Sequence, residues 1–379
     1  MFIIRPTTIG AAQITSSSVP EIATGANPDP VAYDPTKVYV IGDEVSSTVT
    51  KHRYRSRIGK TSAVTMTIAA PCVVSWTAHN LAAGTPISFS TTGALPTGLT
   101  AGTVYYVLAP TTDAFNVAAT VGGAAITTTG TQSGVHTAKA SSNYGIAVTD
   151  TTAWLDLGVT NKYAMFDDKV GSQTTCNTTL SVTLTPSEKF NSAAFIDVEG
   201  VSLRVQVGAY YDKTIMLNTR SVSNWYEYFF EPFNTKTAVV FTDMPPTGAY
   251  PLTITLEAGA GNVAKCGVCK VGMSRELGGV EYGVGFGIRD FSLKTEDEFG
   301  TISVTERAYS RKLNVPLLVN NTFLDEFDRL LISYRAKPIV WVASTKYSAL
   351  IAYGYAKNFD TVIPYPDYSK CQLTVEGLI

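Results

Sequence analysis

The chain has 379 residues, of which 45% are hydrophobic and only 16% charged, and its formal net charge is −2 at pH 7. The charged share lies below the roughly one quarter of ordinary globular proteins, but the apolar share excludes an intrinsically disordered chain. Because 29 Lys and Arg nearly balance 31 Asp and Glu, there is no basic field for phosphate binding, and nucleic acid is not predicted as a partner.

The length predicts about two or three domains, taking about 150 residues for each. The sequence has no run of about 20 apolar residues, and its first residues lack a basic stretch followed by an apolar core. We therefore expect a soluble protein without a signal peptide and without membrane insertion.

Turn residues punctuate the chain every 8 to 12 residues or so, and the segments between them are rich in Val, Thr, Ile, Tyr and Phe. This pattern predicts an all-β, multidomain chain of the sandwich or jelly-roll type. The clearest predicted strands are 104–108, 180–184, 202–207, 237–241 and 252–256.

One segment near the end of the chain has helical rather than strand periodicity. Its apolar residues are spaced for one helix face: Phe323, Phe327, Leu330, Leu331 and Tyr334. Thr322 can cap its start and Pro338 prevents its continuation, so the pattern predicts a single helix over 322–337 and a buried strand over 339–343.

Changes in composition predict the domain boundaries. Residues 62–138 carry almost no charge and read as a small β module inserted between two halves of another unit, 33–61 and 139–158. Residues 159–288 and 289–379 are predicted as two further β domains, the last one with the helix. Residues 1–32 are rich in Thr, Ser and Pro, and we expect an N-terminal arm that becomes ordered only against a neighbour.

Five cysteines and several acidic pairs are candidates for chemistry. Cys266 and Cys269 have the spacing of a redox pair or half a zinc site, but in a strand they would point to opposite faces, which favours structural thiols. Asp197 and Glu199 would share a strand face, as paired carboxylates of a glycosidase require, although solvent-facing residues are more common. We expect no enzyme activity, no metal and no cofactor.

The densest aromatic cluster of the chain includes Trp225, Tyr226, Tyr228, Phe229, Phe230 and Phe233. If this run is extended, some of its rings face solvent, and core packing, a subunit interface and a glycan platform all remain open. Arg307 and Arg311 are candidates for an interface between copies of the chain, because arginine is favoured at interfaces.

The residues Tyr39, Gly42, Asp43, Tyr54 and Trp154 are spaced so that they resemble the scaffold of small chitin-binding carbohydrate modules. The resemblance implies a compact three-stranded unit made from 33–61 and 139–158. Where those modules carry exposed aromatics for sugar stacking, this chain has Arg55-Ser-Arg57.

Other stretches resemble bacteriophage tail proteins. The string Leu95-Pro-Thr-Gly-Leu99 with the aromatics around it is similar to a β module of tail and tail-fibre proteins. Residues 154–205 are similar to phage structural proteins with a galactose-binding-like jelly roll, here placed at 159–288, and residues 289–379 resemble the end of the same proteins.

The phage resemblance implies a structural protein of the virion, made in the host cytoplasm, that forms part of a tail tip or baseplate ring. Copies of itself and tube, hub and fibre proteins would be its partners, and residues 289–379 would make the ring contact. The alternative is a tail protein that binds a receptor or host surface polysaccharide.

Overall fold

The computed structural model describes residues 1–219, 224–230, 234–248, 250–296, 298, 300–335 and 337–378. The chain divides into two compact units. The smaller unit is Asp29–Thr160, and the larger unit combines Met1–Pro28 with Asn161–Ile379.

Strands account for most of the regular structure. In chain order they are β1 (Phe2–Pro6), β2 (Ile14–Ser17), β3 (Glu44–Ser46), β4 (His52–Ser56), β5 (Lys60–Met66), β6 (Val73–Ser75), β7 (Pro86–Thr91), β8 (Val104–Leu108), β9 (Ala114–Ala118), β10 (His136–Ala140), β11 (Trp154–Val159), β12 (Thr174–Asn177), β13 (Thr179–Leu184), β14 (Ser192–Glu199), β15 (Ser202–Val207), β16 (Tyr211–Met216), β17 (Asn218–Thr219), β18 (Asn234–Thr235), β19 (Ala238–Phe241), β20 (Leu252–Glu257), β21 (Val263–Glu276), β22 (Gly279–Val280), β23 (Gly285–Asp290), β24 (Leu293–Glu296), β25 (Ile302–Thr305), β26 (Tyr309–Asn320), β27 (Ile339–Val342), β28 (Ile351–Val362) and β29 (Tyr368–Gly377). The α-helices are α1 (Trp225–Phe230) and α2 (Leu324–Tyr334), and short 3-10 turns cover Ala11–Gln13, Asn161–Phe166, Asn321–Phe323 and Ser348–Leu350.

The all-β prediction is confirmed, and so are the predicted strands, which correspond to β8, β13, β15, β19 and β20. The predicted helix is present but shorter. A 3-10 turn precedes α2, and the cap is Asn320, whose side chain accepts a hydrogen bond from the Thr322 amide at 3.0 Å. The helix ends at Tyr334 rather than Lys337, because a residue before a proline is disfavoured in the helical region.

In the smaller unit, strands β5 to β10 form a closed barrel in the order β10-β5-β6-β9-β8-β7. Alternate residues of its strands face inward, and Ile87, Phe89, Phe115 and Val117 are all at most 1% exposed. Thr and Ser supply most of the polar side chains at the outward positions, so the strands of this barrel carry few charges.

Strands β3, β4 and β11 form a separate three-stranded sheet in the smaller unit, in the order β11-β4-β3. The chain leaves this sheet after Ser56 and enters the barrel at Lys60, which pairs with Ala140, the last residue of the barrel. The barrel is thus inserted in the three-stranded sheet at a point where entry and exit are adjacent.

In the larger unit, a β-sandwich encloses the main core. One layer is the sheet β16-β15-β20-β13-β2, and the other is made by β14, β19 and β21. Phe190, Phe195, Phe241 and Leu252 are fully buried between the layers.

The layer made by β14, β19 and β21 is part of an 11-stranded sheet, in which β21 pairs with β1 and β1 pairs with β27. Only Leu277 and Gly278 separate β21 from β22, which pairs with β26. The sheet therefore curves around a second core that includes Leu317, Leu373 and Trp341, and α2 packs on this core through Phe327 and Leu331.

This topology corrects two domain predictions. Residues 1–32 are not an arm, because Phe2–Pro6 is an internal strand of the large sheet and Ile14–Ser17 pairs with β13. Residues 159–288 and 289–379 do not form separate domains, since β14, β19 and β21 share one sheet with β26 to β29. Adjacent strands in space come from distant parts of the sequence, which composition does not reveal.

We predict that the barrel can be removed without unfolding the rest. Joining Gly59 to Ser141 through a short glycine linker should leave the three-stranded sheet intact, because a Cβ on Gly59 would lie 2.8 Å from Ser141 Oγ. Near-ultraviolet circular dichroism and thermal unfolding of this deletion variant measure the outcome. Loss of the near-ultraviolet signal of Trp154, with far-ultraviolet signal retained, would contradict the inserted arrangement.

We also predict that Gly272→Ala strongly destabilises the larger unit. A Cβ at Gly272 would lie 1.8 Å from the carbonyl oxygen of Arg5, so the substitution pushes β1 away from β21. Overpacking of this kind costs about 1–3 kcal/mol or more. The control is Gly287→Ala, where a Cβ would meet nothing within 4 Å. Calorimetry should show a lower melting temperature for the first variant only; equal values would refute the close approach.

Candidate interaction surfaces

Helix α1 presents the predicted aromatic cluster to solvent. Trp225, Tyr226, Phe229 and Phe230 are 78%, 73%, 67% and 71% exposed. Their rings pair one helical turn apart, Trp225 with Phe229 at 6.2 Å between centroids and Tyr226 with Phe230 at 5.1 Å. The extended conformation considered from the sequence is wrong, and core packing is excluded for these four rings.

Phe233 and the side chain of Tyr228 lie outside the described residues. The spacing of four residues between paired aromatics is the sequence signal that indicates the helix. Exposed apolar groups of this density are typical of interaction surfaces.

A second exposed surface is a long β-hairpin. Strand β23 pairs with the first half of β26, and β24 pairs with β25, so one hairpin runs through both pairs of strands. We call residues 285–309, apart from 297 and 299, the hairpin arm. Its exposed apolar side chains are Phe286, Ile288, Phe291, Leu293, Ile302, Val304 and Tyr309.

Both faces of the arm tip carry apolar groups. Val304 lies opposite Lys294 and Ile302 opposite Glu296, so these four share one face, while Leu293 lies opposite Thr305 on the other. A two-stranded hairpin alone is at best marginally stable in water, and both faces of this tip are exposed. The sequence indicated charged strands in this region, but it did not indicate that β24 and β25 pair only with each other, outside the 11-stranded sheet.

The two predicted interface arginines differ in position. Arg311 is used within the chain: its guanidinium donates to the Ser348 carbonyl oxygen at 2.7 Å and to Thr237 Oγ1 at 3.0 Å. It therefore ties the base of the hairpin arm to the sheet. Arg307 lies on the arm and is exposed.

In the smaller unit, the predicted scaffold residues surround one small core. Trp154 is 1% exposed and packs edge-on against Tyr39 at 5.4 Å between centroids, and Tyr54 is buried beside them. Gly42 has a φ of 91°, which favours glycine. The Asp43 carboxylate accepts from the Val40 amide at 3.0 Å and pairs with Lys139 at 2.8 Å.

Both arginines of the segment 55–57 are occupied within the smaller unit. Arg55 pairs with Glu44 at 2.6 Å, and Arg57 donates to the Thr151 carbonyl oxygen at 3.0 Å. These groups place charge where sugar stacking requires an aromatic face.

Cys266 and Cys269 belong to the same buried core, which corrects the expectation of opposite faces. Asp197 on β14 has a φ of 58° and lies opposite Gly267, and at this point both strands change which residues face the sandwich core. Burial raises the pKa of the Cys269 thiol to about 12 and the pKa of Cys266 well above its usual range. Reactivity needs the thiolate, so these are structural thiols.

The same kink separates the two carboxylates considered for glycoside hydrolysis. Asp197 accepts a hydrogen bond from Gln173 at 2.7 Å, whereas Glu199 pairs with Lys265 at 2.7 Å. Each carboxylate is held by its own partner. Among the described residues, no group of three His, Cys, Asp or Glu side chains is placed to hold a metal ion.

Sequence reasoning missed a buried polar cluster around Lys270 in β21. Lys270 Nζ donates to the carbonyl oxygens of Phe166 and Asp167 and to Asp168 Oδ1, at 3.3, 3.0 and 2.9 Å. Tyr353 donates to the same Asp168 oxygen at 2.5 Å. All three ammonium hydrogens are used, which assigns Lys270 to holding the loop after Asn161–Phe166. The sequence signal that could have indicated this cluster is a lysine within an otherwise apolar part of a strand.

No family model, curated protein or solved structure matches this chain. No helix of the described residues has the length and apolar character to cross a membrane.

We predict that one thiol reacts readily in the native protein. Of the five free cysteines only Cys176 is partly exposed, and the other four are buried. Titration with an aromatic disulfide reagent should show one fast thiol per chain in buffer and five in denaturant. Cys176→Ser should abolish the fast reaction. Rapid loss of two thiols together in that variant would indicate a reactive Cys266–Cys269 pair.

We predict an acid-dependent contribution from Asp168. Partial desolvation opposes its ionisation, but hydrogen bonds from Tyr353 and Lys270 outweigh this effect and lower its pKa, although 70% of the Asp168 side chain is exposed. Because the pKa is lowered in the folded state, the ionised carboxylate stabilises the fold at pH values above the ordinary aspartate pKa of about 3.9. This contribution is lost as the pH falls through the folded-state pKa. Asp168→Asn should therefore melt below the unmodified protein at pH 7, and the difference should shrink below about pH 4.

The control for this measurement is Asp328→Asn, an exposed position of α2. It should leave the melting temperature unchanged across the same pH range. A difference between Asp168→Asn and the unmodified protein that stays constant down to pH 2 would contradict the assignment.

Proposed function

We propose that the chain is a structural protein of a bacteriophage tail that forms part of a tail tip or baseplate ring. The proposal starts from the resemblance of 62–138, 154–205 and 289–379 to phage tail proteins. The observation that carries it is the hairpin arm, which exposes apolar side chains on both faces of a two-stranded ribbon. Such a ribbon is stabilised by a partner surface.

The partners proposed are copies of the chain itself and other tail proteins, in a virion assembled in the host cytoplasm. Symmetric rings use large complementary surfaces between identical subunits. The inserted barrel and the three-stranded sheet would then be peripheral domains available to fibres or to the cell surface. The sequence led us to expect that 289–379 makes the contact between copies in the ring. We now assign this contact to the hairpin arm, because most of β26 to β29 builds the core of the larger unit.

Labelling of purified particles tests this proposal. Antibody against the barrel should decorate the tail end of phage particles in electron micrographs, and a particle reconstruction should place several copies around the tail axis. A chain found only in infected cells and not in particles would refute the proposal.

The alternative is a tail protein that recognises a receptor or surface polysaccharide. Two observations favour it: the exposed rings of α1, and the pair Tyr210 and Tyr250, whose ring centroids lie 4.7 Å apart with 67% and 40% of each residue exposed. Aromatic faces stack on sugar rings as well as on protein surfaces.

We predict that the isolated monomer does not bind chitin oligosaccharides measurably. Tyr39 and Trp154 are buried, and arginines stand where stacking rings are needed. Each missing stacking contact between an aromatic ring and a sugar removes about 0.5–2 kcal/mol of binding free energy, by analogy with aromatic pairs and cation–π contacts. The affinity for chitin oligosaccharides should therefore be weaker than millimolar. Titration calorimetry measures it, with Tyr210→Ala as a control for binding elsewhere. A micromolar affinity would favour the alternative function.

A further inference from the structure

The tip of the hairpin arm is acidic as well as apolar. Glu296, Glu298 and Glu306 are exposed, and none of them has an ion-pair partner within the part of the chain that the structure describes. Glu296 shares its face with Ile302 and Val304, which are 65% and 60% exposed. One face of the tip thus combines two branched apolar side chains with the Glu296 carboxylate and with Lys294, whose ammonium lies 4.0 Å from Asp290.

A basic groove lies elsewhere on the larger unit, between α2 and the adjacent strands β1 and β21. We call it the α2 groove; its volume is about 550 Å³ and its lining includes Ile3, Arg5, Met273, Arg275, Arg329 and Leu330. Arg275 is bonded to Glu326, but Arg5 and Arg329 are exposed and make no ion pair with any described residue. Ile3, Met273 and Leu330 make the groove partly apolar.

We propose that the hairpin arm of one copy docks in the α2 groove of a second copy; this inference rests on the proposed function as a ring subunit. The free carboxylates of the arm match the free arginines of the groove, and Ile302 and Val304 match its apolar lining. Charge complementarity of this kind selects the partner and the register of an interface.

The charge pattern also decides between two ways in which copies can associate. Two arms packed through their tips would bring Glu296 and Glu298 of both chains together against one Lys294 from each, and like charges at an interface are repulsive. Arm and groove are different surfaces, so their contact is heterologous and closes into a ring or continues as a filament, depending on the rotation.

Charge reversal in the full chain tests the contact. We expect Glu296→Arg and Arg329→Glu each to weaken self-association at least tenfold, and the two together in one chain to restore it to within about threefold. Sedimentation velocity over a range of concentrations measures the association, and 0.5 M salt should weaken it. The matched control is Arg335→Glu, an exposed arginine at the end of α2 that does not line the groove; it should change nothing.

Disulfide trapping reports the geometry directly. In a Cys176→Ser background, we expect chains with Ser303→Cys on the arm to cross-link with chains carrying Ser333→Cys in the groove, and neither to cross-link with itself. Ser303→Cys chains that link to each other would instead show arm-to-arm pairing and overturn the proposal. So would a protein that is monomeric at every concentration, or charge reversals that do not compensate.

These measurements use the purified chain, so they separate the two proposals. Arm-to-groove association without the chain in phage particles would refute only the proposed function. Particles that contain the chain, combined with absent cross-links and uncompensated reversals, would refute only the docking contact.

Discussion

Strand β1 is the constraint on which the larger unit depends. It lies between β21 and β27, so residues at the start of the chain pair with partners about 270 and 340 positions later. The Met1 amine donates to the Gly278 carbonyl oxygen at 2.6 Å, and the Leu277 amide donates back to the Met1 carbonyl oxygen at 2.9 Å. Closing such long loops costs entropy, which only the large buried sheet can offset.

A coordinated kink lets one sheet serve two cores. At Asp197 and Gly267, β14 and β21 both change the face that looks into the sandwich, so Val198 and Cys266 enter the first core while Ile196 and Val268 pack on the outer side. The positive φ of Asp197 is strained for a residue other than glycine, and a Cβ on Gly267 would lie 2.8 Å from Asp197 Cβ. The hydrogen bond from Gln173 holds the carboxylate in place at this point.

Buried polar groups and exposed apolar side chains lie in different regions of the larger unit. The buried ammonium of Lys270 is satisfied within the chain, and four of the five thiols are buried. The hairpin arm and α1, by contrast, expose large apolar side chains to water, which is unfavourable in free energy. Exposed apolar surfaces of this kind are typical of contact sites.

The sequence by itself determined the local structure. Segments rich in Val, Thr and aromatics between turn residues specified β8, β13, β15, β19 and β20, and the helical spacing of Phe327 and Leu331 specified α2, because these signals arise from the geometry of single elements. The resemblance to small carbohydrate modules implied a compact unit around Trp154, and the structure places Tyr39, Tyr54 and Trp154 in one small core. Pairing between distant strands was decided only by the tertiary structure. It placed Phe2–Pro6 inside a sheet, brought Cys266 and Cys269 to one core, and left the arm tip without a covering layer, since burial depends on which strands meet and not on the pattern within any one of them.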